Sequence, residues 1–550
     1  MSFLEEALMK KNDIVEGQIQ EIRFPNKGIV VIDGGKIIVK GGIEGQKVKV
    51  RITKKKNDKI LGEIIEVIEK APYEQKALCP HFGDCGGCNY QNVPYHQQLK
   101  IKEKQILRLL APFSLREKQF LGIEPSPKEW EYRNKMEFSF GDEVKGGPLA
   151  LGMRKRKSFY EVVTAADCQI VDEDFRCILG IVLDYFQKKE IPFYHKKTHK
   201  GVLRHLVVRK GMKTGEVLVN LVTSSQTEFD LDALAEKIQK TLPRGFLKGF
   251  LHTIYDGVAD VVKSDETRII YGQDFFTEEL LGLTFKISAY SFFQTNTLGA
   301  EKLYSIVRDF AGETKGKTIF DLYCGTGTIS QVMAPVAKEV IGIEIVEEAV
   351  EVAKANAKLN GLDNCTFIAG DVLTKVEELT QKPDLIILDP PRDGIHPKAI
   401  HKIIDFGAPE IVYVSCKPTS LVRDLEIFLQ EGYRIKKVKC MDMFPNTVHV
   451  ETVVLLSHKK PDDHICVKME YVDNREIQPD RVTYKLIQEY IEEKYGFKVH
   501  TAYIAEVKRS LGLPTYPAPN AVEQRKHYYY SVPDYKAEAI KDALKHFNLI

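Results

Sequence analysis

At 550 residues, with 43% hydrophobic and 28% charged residues, the chain is too long for one ordinary core and too apolar to be disordered, so several soluble domains are expected. A formal net charge of +2 does not mark a nucleic-acid binder, and any basic surface must be local. The opening MSFLEEALMKKND lacks the apolar run of a secretory signal and no segment is apolar enough to cross a bilayer, so a cytoplasmic protein without a membrane partner is expected, in which ten cysteines point to metal binding or catalysis before disulfides.

Residues 8–70 read as a small β-barrel of the OB type. Strand patterns at 17–24, 28–33, 36–40 and 47–54 are split by turn signals at Pro25-Asn26, Asp33-Gly34-Gly35 and Gly41-Gly42. Its rim carries Lys47, Lys49, Arg51, Lys54, Lys55, Lys56 and Lys59, which suits either a solvated edge strand or a phosphate-tracking surface.

Residues 71–270 read as an α+β region, with a helix over 94–111. Two basic segments stand out: Arg154 to Lys157, and His195 to Lys210 with six Lys or Arg and no acid. The region opens on Cys79, Cys85 and Cys88, spaced x5 then x2. Three thiolates so close need a fourth ligand for a closed site. Cys168 is the candidate, and His81 is a second one if the metal is zinc. Spacing alone leaves zinc and an iron–sulfur cluster open.

Residues 271–458 alternate strands and helices in the manner of a doubly wound, Rossmann-like α/β domain. A strand runs into Asp321-Leu322-Tyr323-Cys324-Gly325-Thr326-Gly327-Thr328, a glycine turn where backbone can approach a ligand closely. Glu344 closes the next strand, 19 residues after Gly325, where a carboxylate can accept from ribose hydroxyls. Asp371 ends the third strand and Asp389 the fourth. This ordered set of acids, without a third loop glycine or a Walker lysine, fits S-adenosylmethionine (SAM) better than NAD or ATP.

Cys416 stands where the fifth strand ends, in Val414-Ser415-Cys416-Lys417-Pro418. Glu451 lies on a late strand among apolar residues, where an acid is odd unless it is paired or functional. Carbon 5 of uracil is a poor nucleophile. Methylating it requires a thiolate to add at C6, a methyl donor, and a base to remove the C5 proton. Cys416 and Glu451 supply the thiol and the base, with His449 as a rival base. Residues 461–550 read as an extension: two helices within 480–511, an irregular Pro- and Tyr-rich stretch at 514–530, and a last helix over 533–548.

Over residues 10–458 the chain resembles the uracil-C5 RNA methyltransferases of bacterial 23S rRNA, which are related to the tRNA enzyme of the T-loop. The motifs are Phe292-Phe293-Gln294-Thr295-Asn296, the Asp321–Gly327 loop, Leu388-Asp389-Pro390-Pro391-Arg392-Asp393-Gly394, the Cys416 strand tip, and Met443-Phe444-Pro445 leading to Glu451. The resemblance implies a multidomain α/β enzyme. It would have an N-terminal OB-like TRAM barrel (8–70), a central RNA-binding domain with a [4Fe–4S] cluster (71–270), a SAM-dependent methyltransferase domain (271–458) and a partly helical extension (461–550). It implies that Gln294, Tyr323, Glu344 and Asp389 hold SAM, with Thr328 and Asp371 as weaker contacts because some relatives carry asparagine there.

By the same likeness Cys416 is the nucleophile and Glu451 the base, and Cys79, Cys85, Cys88 and Cys168 hold the cluster. The barrel rim, Tyr132-Arg133-Asn134-Lys135 and the segment Leu203 to Arg209 would contact RNA, most directly 23S rRNA, with no obligate protein partner. A tRNA substrate is the alternative. An amino-methylating enzyme is disfavoured because Arg392 stands where an aromatic residue would be needed. A radical-SAM enzyme would space its first cysteines by x3 and leave one iron open, and a non-catalytic RNA binder would not need Cys416 and Glu451.

Overall fold

Alternation of apolar and polar residues bends the first five strands into a closed barrel. The strands β1 (Ile14–Arg23), β2 (Lys27–Ile32), β3 (Gly35–Lys40), β4 (Lys47–Lys56) and β5 (Lys59–Glu69) pair in the order β1-β2-β3-β5-β4. Ile19, Val30, Ile37, Val48 and Val50 fill the interior, where alternate side chains of a small barrel must point. The computed structural model describes residues 9–32, 35–56, 59–379, 381–458, 482–513, 515, 532–547 and 549–550. The expected turn at Asp33-Gly34 and nearly all of the 514–530 stretch lie outside the described residues.

The basic rim is less basic than its sequence. Lys47, Lys49 and Arg51 pair across the β4–β5 ladder with Glu69, Glu66 and Glu63 at 3.5, 3.1 and 3.2 Å. Such exposed pairs contribute little stability, but they cancel much of the rim's charge.

After the barrel come α1 (Tyr95–Leu110) and β6 (Phe120–Glu124). A mixed sheet follows, made of β7 (Lys135–Asp142), β8 (Leu149–Arg154), β9 (Val162–Thr164), β10 (Leu203–Lys210), β11 (Glu216–Thr223), β12 (Phe246–Ile254) and β13 (Glu266–Gly272), in the order β13-β12-β11-β10-β7-β8-β9. Helices α2 (Glu173–Lys188) and α3 (Asp232–Thr241) add Phe175, Leu179, Val182 and Leu234 to its core. The hairpin β14 (Phe275–Leu280) and β15 (Leu283–Ser288) then leads to α4 (Thr297–Ala311).

The remaining elements of this unit are β16 (Thr318–Leu322), α5 (Thr328–Met333), β17 (Glu339–Glu344), α6 (Glu347–Leu359), β18 (Cys365–Ala369), α7 (Val372–Glu378), β19 (Leu385–Leu388), α8 (Pro397–Asp405), β20 (Glu410–Ser415), α9 (Pro418–Gln430), β21 (Tyr433–Met441) and β22 (Glu451–His458). They form an eight-stranded sheet in the order β18-β17-β16-β19-β20-β22-β21-β6. Strands β16 to β20 are parallel, and β22 runs antiparallel to both β20 and β21. The edge strand β6 lies within the segment expected to belong to the central region, yet it pairs with β21. Adjacency in sequence did not reveal this, because a five-residue strand carries too weak a pattern to name its partner.

The chain divides into two compact units, Met1–Asp463 and His464–Ile550. In the second, α10 (Tyr484–Tyr495), α11 (Thr501–Ser510) and α12 (Asp534–His546) bury Ile487, Ile491, Ile504, Ile540 and Leu544 against one another.

The loop between β21 and β22 is held from several sides by buried polar groups. Lys102 Nζ donates to Asp442 at 2.6 Å and to the Phe444 carbonyl at 3.2 Å. The Gln98 side chain both donates to Asn446 Oδ1 and accepts from its backbone N–H. The Tyr132 hydroxyl donates to the Pro445 carbonyl at 3.0 Å, and Asn296 to that of Met443 at 2.9 Å. Removing one member of a fully buried pair strands the other charge. Lys102→Met should therefore lower the unfolding free energy by about 3–5 kcal/mol, and adding Asp442→Leu should restore most of it. Urea unfolding of the two variants checks this.

Candidate active site

All five parallel strands end on one edge of the sheet. Leu322 pairs with both Ile343 and Leu388, and Leu388 pairs with Tyr413. The next residues along, Tyr323, Glu344 and Asp389, therefore share that rim, with Cys416 just past the end of β20. The reversed β22 begins where the others stop. Ser415 pairs with Thr452, so one step further Cys416 comes level with Glu451.

Gln294, Tyr323, Thr328, Glu344, Asp389, Cys416 and Glu451 all line one cavity of about 1750 Å³. Asp371 does not. Its carboxylate accepts from the Leu373 N–H at 2.9 Å and caps α7. A strand-ending acid before a helix serves as an N-cap as readily as a ligand contact.

The cofactor end of the cavity is shaped by backbone. Tyr323, Gly325 and Gly327 all have positive φ, at 70°, 54° and 70°. A Cβ on Gly327 would lie 2.6 Å from the Phe367 ring and 2.9 Å from Ala353, so α6 and β18 pack onto the loop only because it has none. Glu344 accepts from the Gly325 and Val346 N–H groups, both at 3.0 Å. It braces the loop while leaving part of its side chain open to the cavity.

The Gln294 segment is clamped from the neighbouring sheet. Asn134 donates to the Gln294 carbonyl at 3.0 Å and to Thr297 Oγ1 at 2.8 Å. Arg209 donates to the carbonyls of Ser288 at 2.7 Å and Ser291 at 2.6 Å. This corrects the expected RNA contacts. Tyr132, Asn134, Arg204, His205, Arg209 and Lys210 are buried. Arg204 caps the carbonyls of Tyr255, Gly257 and Ala259, and Lys210 pairs with Asp172 and Asp174. Only Arg133 and Lys135 of the first motif reach the cavity wall.

The site is crowded with acids. Burial, reinforced by neighbouring carboxylates, pushes Asp321 up to about 6, Asp389 to about 7 and Glu451 to about 8. Asp321 accepts from Ser330 Oγ at 2.5 Å through one oxygen, while the other is buried without a partner. Burial, with Glu451 and Asp389 close by, raises the Cys416 thiol to about 12, and Arg392 opposes that rise. Burial and the cations Arg392, Lys102 and Arg133 hold His449 down at about 4, and its Nδ1 lies 3.5 Å from the Arg392 guanidinium. The parts played by Asp321 and Arg392 were not assigned from sequence, although both lie inside motifs already singled out.

Cys79, Cys85 and Cys88 from one loop and Cys168 from another line the same cavity. Burial, with the neighbouring thiols adding to it, pushes Cys88 to about 12 and Cys168 to about 11. His81 Nε2 accepts from the Asp167 N–H at 3.2 Å, which leaves the four thiols as the coherent set. Among the described residues, no three His, Cys, Asp or Glu side chains close on one point as the ligands of a single ion do. Cys79 and Cys88 are buried, and Cys85 and Cys168 are half-buried.

The family model described as tRNA (Uracil-5-)-methyltransferase matches residues 94–459. An uncharacterized RNA methyltransferase of Clostridium tetani is 57% identical over 451 residues, covering 82% of this chain and 99% of its own length. One from Halalkalibacterium halodurans is 33% identical over 462 residues, covering 83% and 99%. Among solved structures, the Pyrococcus abyssi tRNA (uracil-54, C5)-methyltransferase in complex with S-adenosyl-L-homocysteine is 26% identical with a TM-score of 0.65, covering 80% of this chain and 100% of that one.

Three carboxyls held above their ordinary range make stability depend on pH. Each binds its proton more tightly folded than unfolded, so its contribution is complete below about pH 4. That contribution is lost as pH climbs through about 6, 7 and 8. The ligand-free protein should lose thermal stability between about pH 5 and 9, and Glu451→Gln should flatten the upper part of that fall, as read by calorimetry across the range.

Proposed function

This chain belongs to the tRNA (uracil-5-)-methyltransferase family and is an RNA methyltransferase that uses SAM, and we propose that it methylates carbon 5 of a uridine in 23S rRNA through a covalent adduct on Cys416. The observation that carries this reading is the register that sets Cys416 level with Glu451 on the rim of a single cavity. Gln294, Tyr323, Glu344 and Asp389 would hold SAM, with Thr328 and Asp371 as weaker contacts. Bound SAM supplies an electrophilic methyl group for the activated C5 and a positive charge among the acids.

The target nucleotide leaves its stack to enter the cavity. The Cys416 thiolate adds to C6, forming the C6–S bond and shifting the C5=C6 pair toward C5 and the O4 enolate. Once C5 carries its new methyl, the Glu451 carboxylate takes the C5 proton. The electrons left behind rebuild C5=C6 and expel the sulfur. Burial favours the protonated forms of Cys416 and Glu451, and a bound cationic donor beside them would favour their proton loss. Arg392, the cation that opposes both shifts, favours their ionised forms.

Cys79, Cys85, Cys88 and Cys168 would hold a [4Fe–4S] cluster, zinc being the alternative, and the cluster would cross-link the 79–88 loop to residue 168. The motif resemblance to the 23S rRNA enzymes favours rRNA. The second reading, a tRNA uridine, is favoured by the Pyrococcus abyssi tRNA enzyme, all of whose length is matched here.

RNA substituted with 5-fluorouridine carries fluorine where Glu451 must remove a proton, so elimination fails and an adduct accumulates. Denaturing gels of enzyme, SAM and substituted 23S rRNA or tRNA should show it for the wild type and not for Cys416→Ala. An adduct that persists in Cys416→Ala would remove the assigned nucleophile, and mapping the adduct decides between rRNA and tRNA. With ordinary RNA, Glu451→Gln should trap the methylated adduct and slow turnover by roughly 10²–10⁴-fold. Anaerobically purified protein should contain iron and acid-labile sulfide, about four of each per chain, both lost in Cys168→Ser. Zinc without sulfide would overturn the cluster assignment.

A further inference from the structure

The turn after β8 displays two aromatic rings that no core claims. Phe159 is 71% exposed and Tyr160 45%. They meet edge to face, with centroids 5.2 Å apart and planes at 81°. Lys157, just before them, adopts φ 66°, a left-handed conformation that non-glycine residues hold only where the surroundings impose it. The strained turn therefore presents the pair outward.

A distant segment completes the patch. Lys196 Nζ stands 5.1 Å above the Phe159 ring and Lys197 Nζ 4.5 Å above that of Tyr160. Arg154 fixes the turn by donating to the Tyr160 carbonyl and to Asp260, both at 2.9 Å, and Lys196 also pairs with Asp260. Against its partial burial, His205, Lys196 and Arg154 together hold the Asp260 carboxyl well below its ordinary range. Among the described residues, the acids paired with Arg154, Lys155, Arg156, Lys157, Lys196 and Lys197 are Asp260, Glu161 and Glu63, so the patch keeps a positive excess.

Its position ties it to the site. The Gly86 N–H donates to the Arg154 carbonyl at 3.0 Å and Arg156 to that of Cys88 at 2.5 Å, so the turn backs directly onto the cysteine loop that lines the cavity. The loop bearing Asp260 continues into Val262, Lys263 and Ser264 on the cavity wall.

We propose that Phe159 and Tyr160, flanked by Lys196 and Lys197, form a stacking platform for an unpaired base of the RNA substrate next to the extruded uridine. The proposal rests on the RNA reading above and adds to it a second base-binding site. An exposed ring bonds to the face of any base, and an ammonium beside it meets the phosphate of the same nucleotide. A strand that gives up one nucleotide to a cavity must also be gripped on either side of it.

The test uses the full chain with Trp130→Phe and Phe159→Trp, leaving position 159 as its one indole, since the natural sequence has a single tryptophan. Adding a 23S rRNA or tRNA transcript should quench that indole by stacking. In the natural background Phe159→Ala should raise KM for RNA by roughly ten-fold or more, with turnover at saturating RNA retained, and Phe159→Tyr should restore KM. An unquenched indole and an unchanged KM, while the 5-fluorouridine adduct still forms, overturn the platform. If wild type forms no adduct, the methylation reading fails, and quenching by RNA still decides for or against the platform. A Phe159→Ala chain that binds RNA normally but no longer self-associates assigns the patch to a second copy and also overturns it.

Discussion

One reversed strand organises the chemistry of this protein. In a sheet whose other central strands run parallel, side chains on the functional rim come from strand ends. Strand β22 runs the other way, so its first residue arrives at that rim. Cys416, one residue beyond β20, and Glu451, opening β22, flank the last ladder pair, Ser415 with Thr452, and are held by strands rather than by a free loop. The cost lies in the connection, since the chain must return from β21 through a turn buried beneath two other substructures. Lys102, Gln98, Tyr132 and Asn296 answer that demand by hydrogen-bonding carbonyls of the turn, the Asn446 N–H and one oxygen of Asp442. Buried polar groups without such partners would be costly.

The same burial sets the electrostatics. Asp321, Asp389 and Glu451 share one cavity, and each makes ionisation of the next harder. The protein's own groups therefore favour neutral carboxyls and a protonated thiol. A cationic donor and a polyanionic substrate arriving together would change that balance, which couples readiness for chemistry to occupancy of the site.

Basic residues are divided between two tasks that sequence does not separate. In the stretch from His195 to Lys210, Arg204, Arg209 and Lys210 turn inward and cap carbonyls or pair with buried acids, whereas Lys197 is exposed and the half-buried Lys196 pairs with Asp260, each over an aromatic ring. An arginine on a strand can serve either face, and only the partners assembled from other segments decide which. The barrel rim shows the same effect, because its lysines meet glutamates on the next strand.

From the sequence alone came the small N-terminal barrel, the alternating α/β region, the glycine loop at Asp321–Gly327 and the acids at strand ends, and it singled out the thiol and the late glutamate on which the proposed chemistry rests. These features are local: period-two apolar patterns, turn residues and residue types with few alternative uses. Only the tertiary structure decided that β6 joins the far edge of the α/β sheet and that Asp371 caps a helix. It also showed that Tyr132 and Asn134 are clamps, and that the cysteine loop and the cofactor loop open on one cavity. Each of those outcomes depends on contacts between residues far apart in the chain. Burial and pairing are properties of the assembled neighbourhood, and no residue carries them in its own type or spacing.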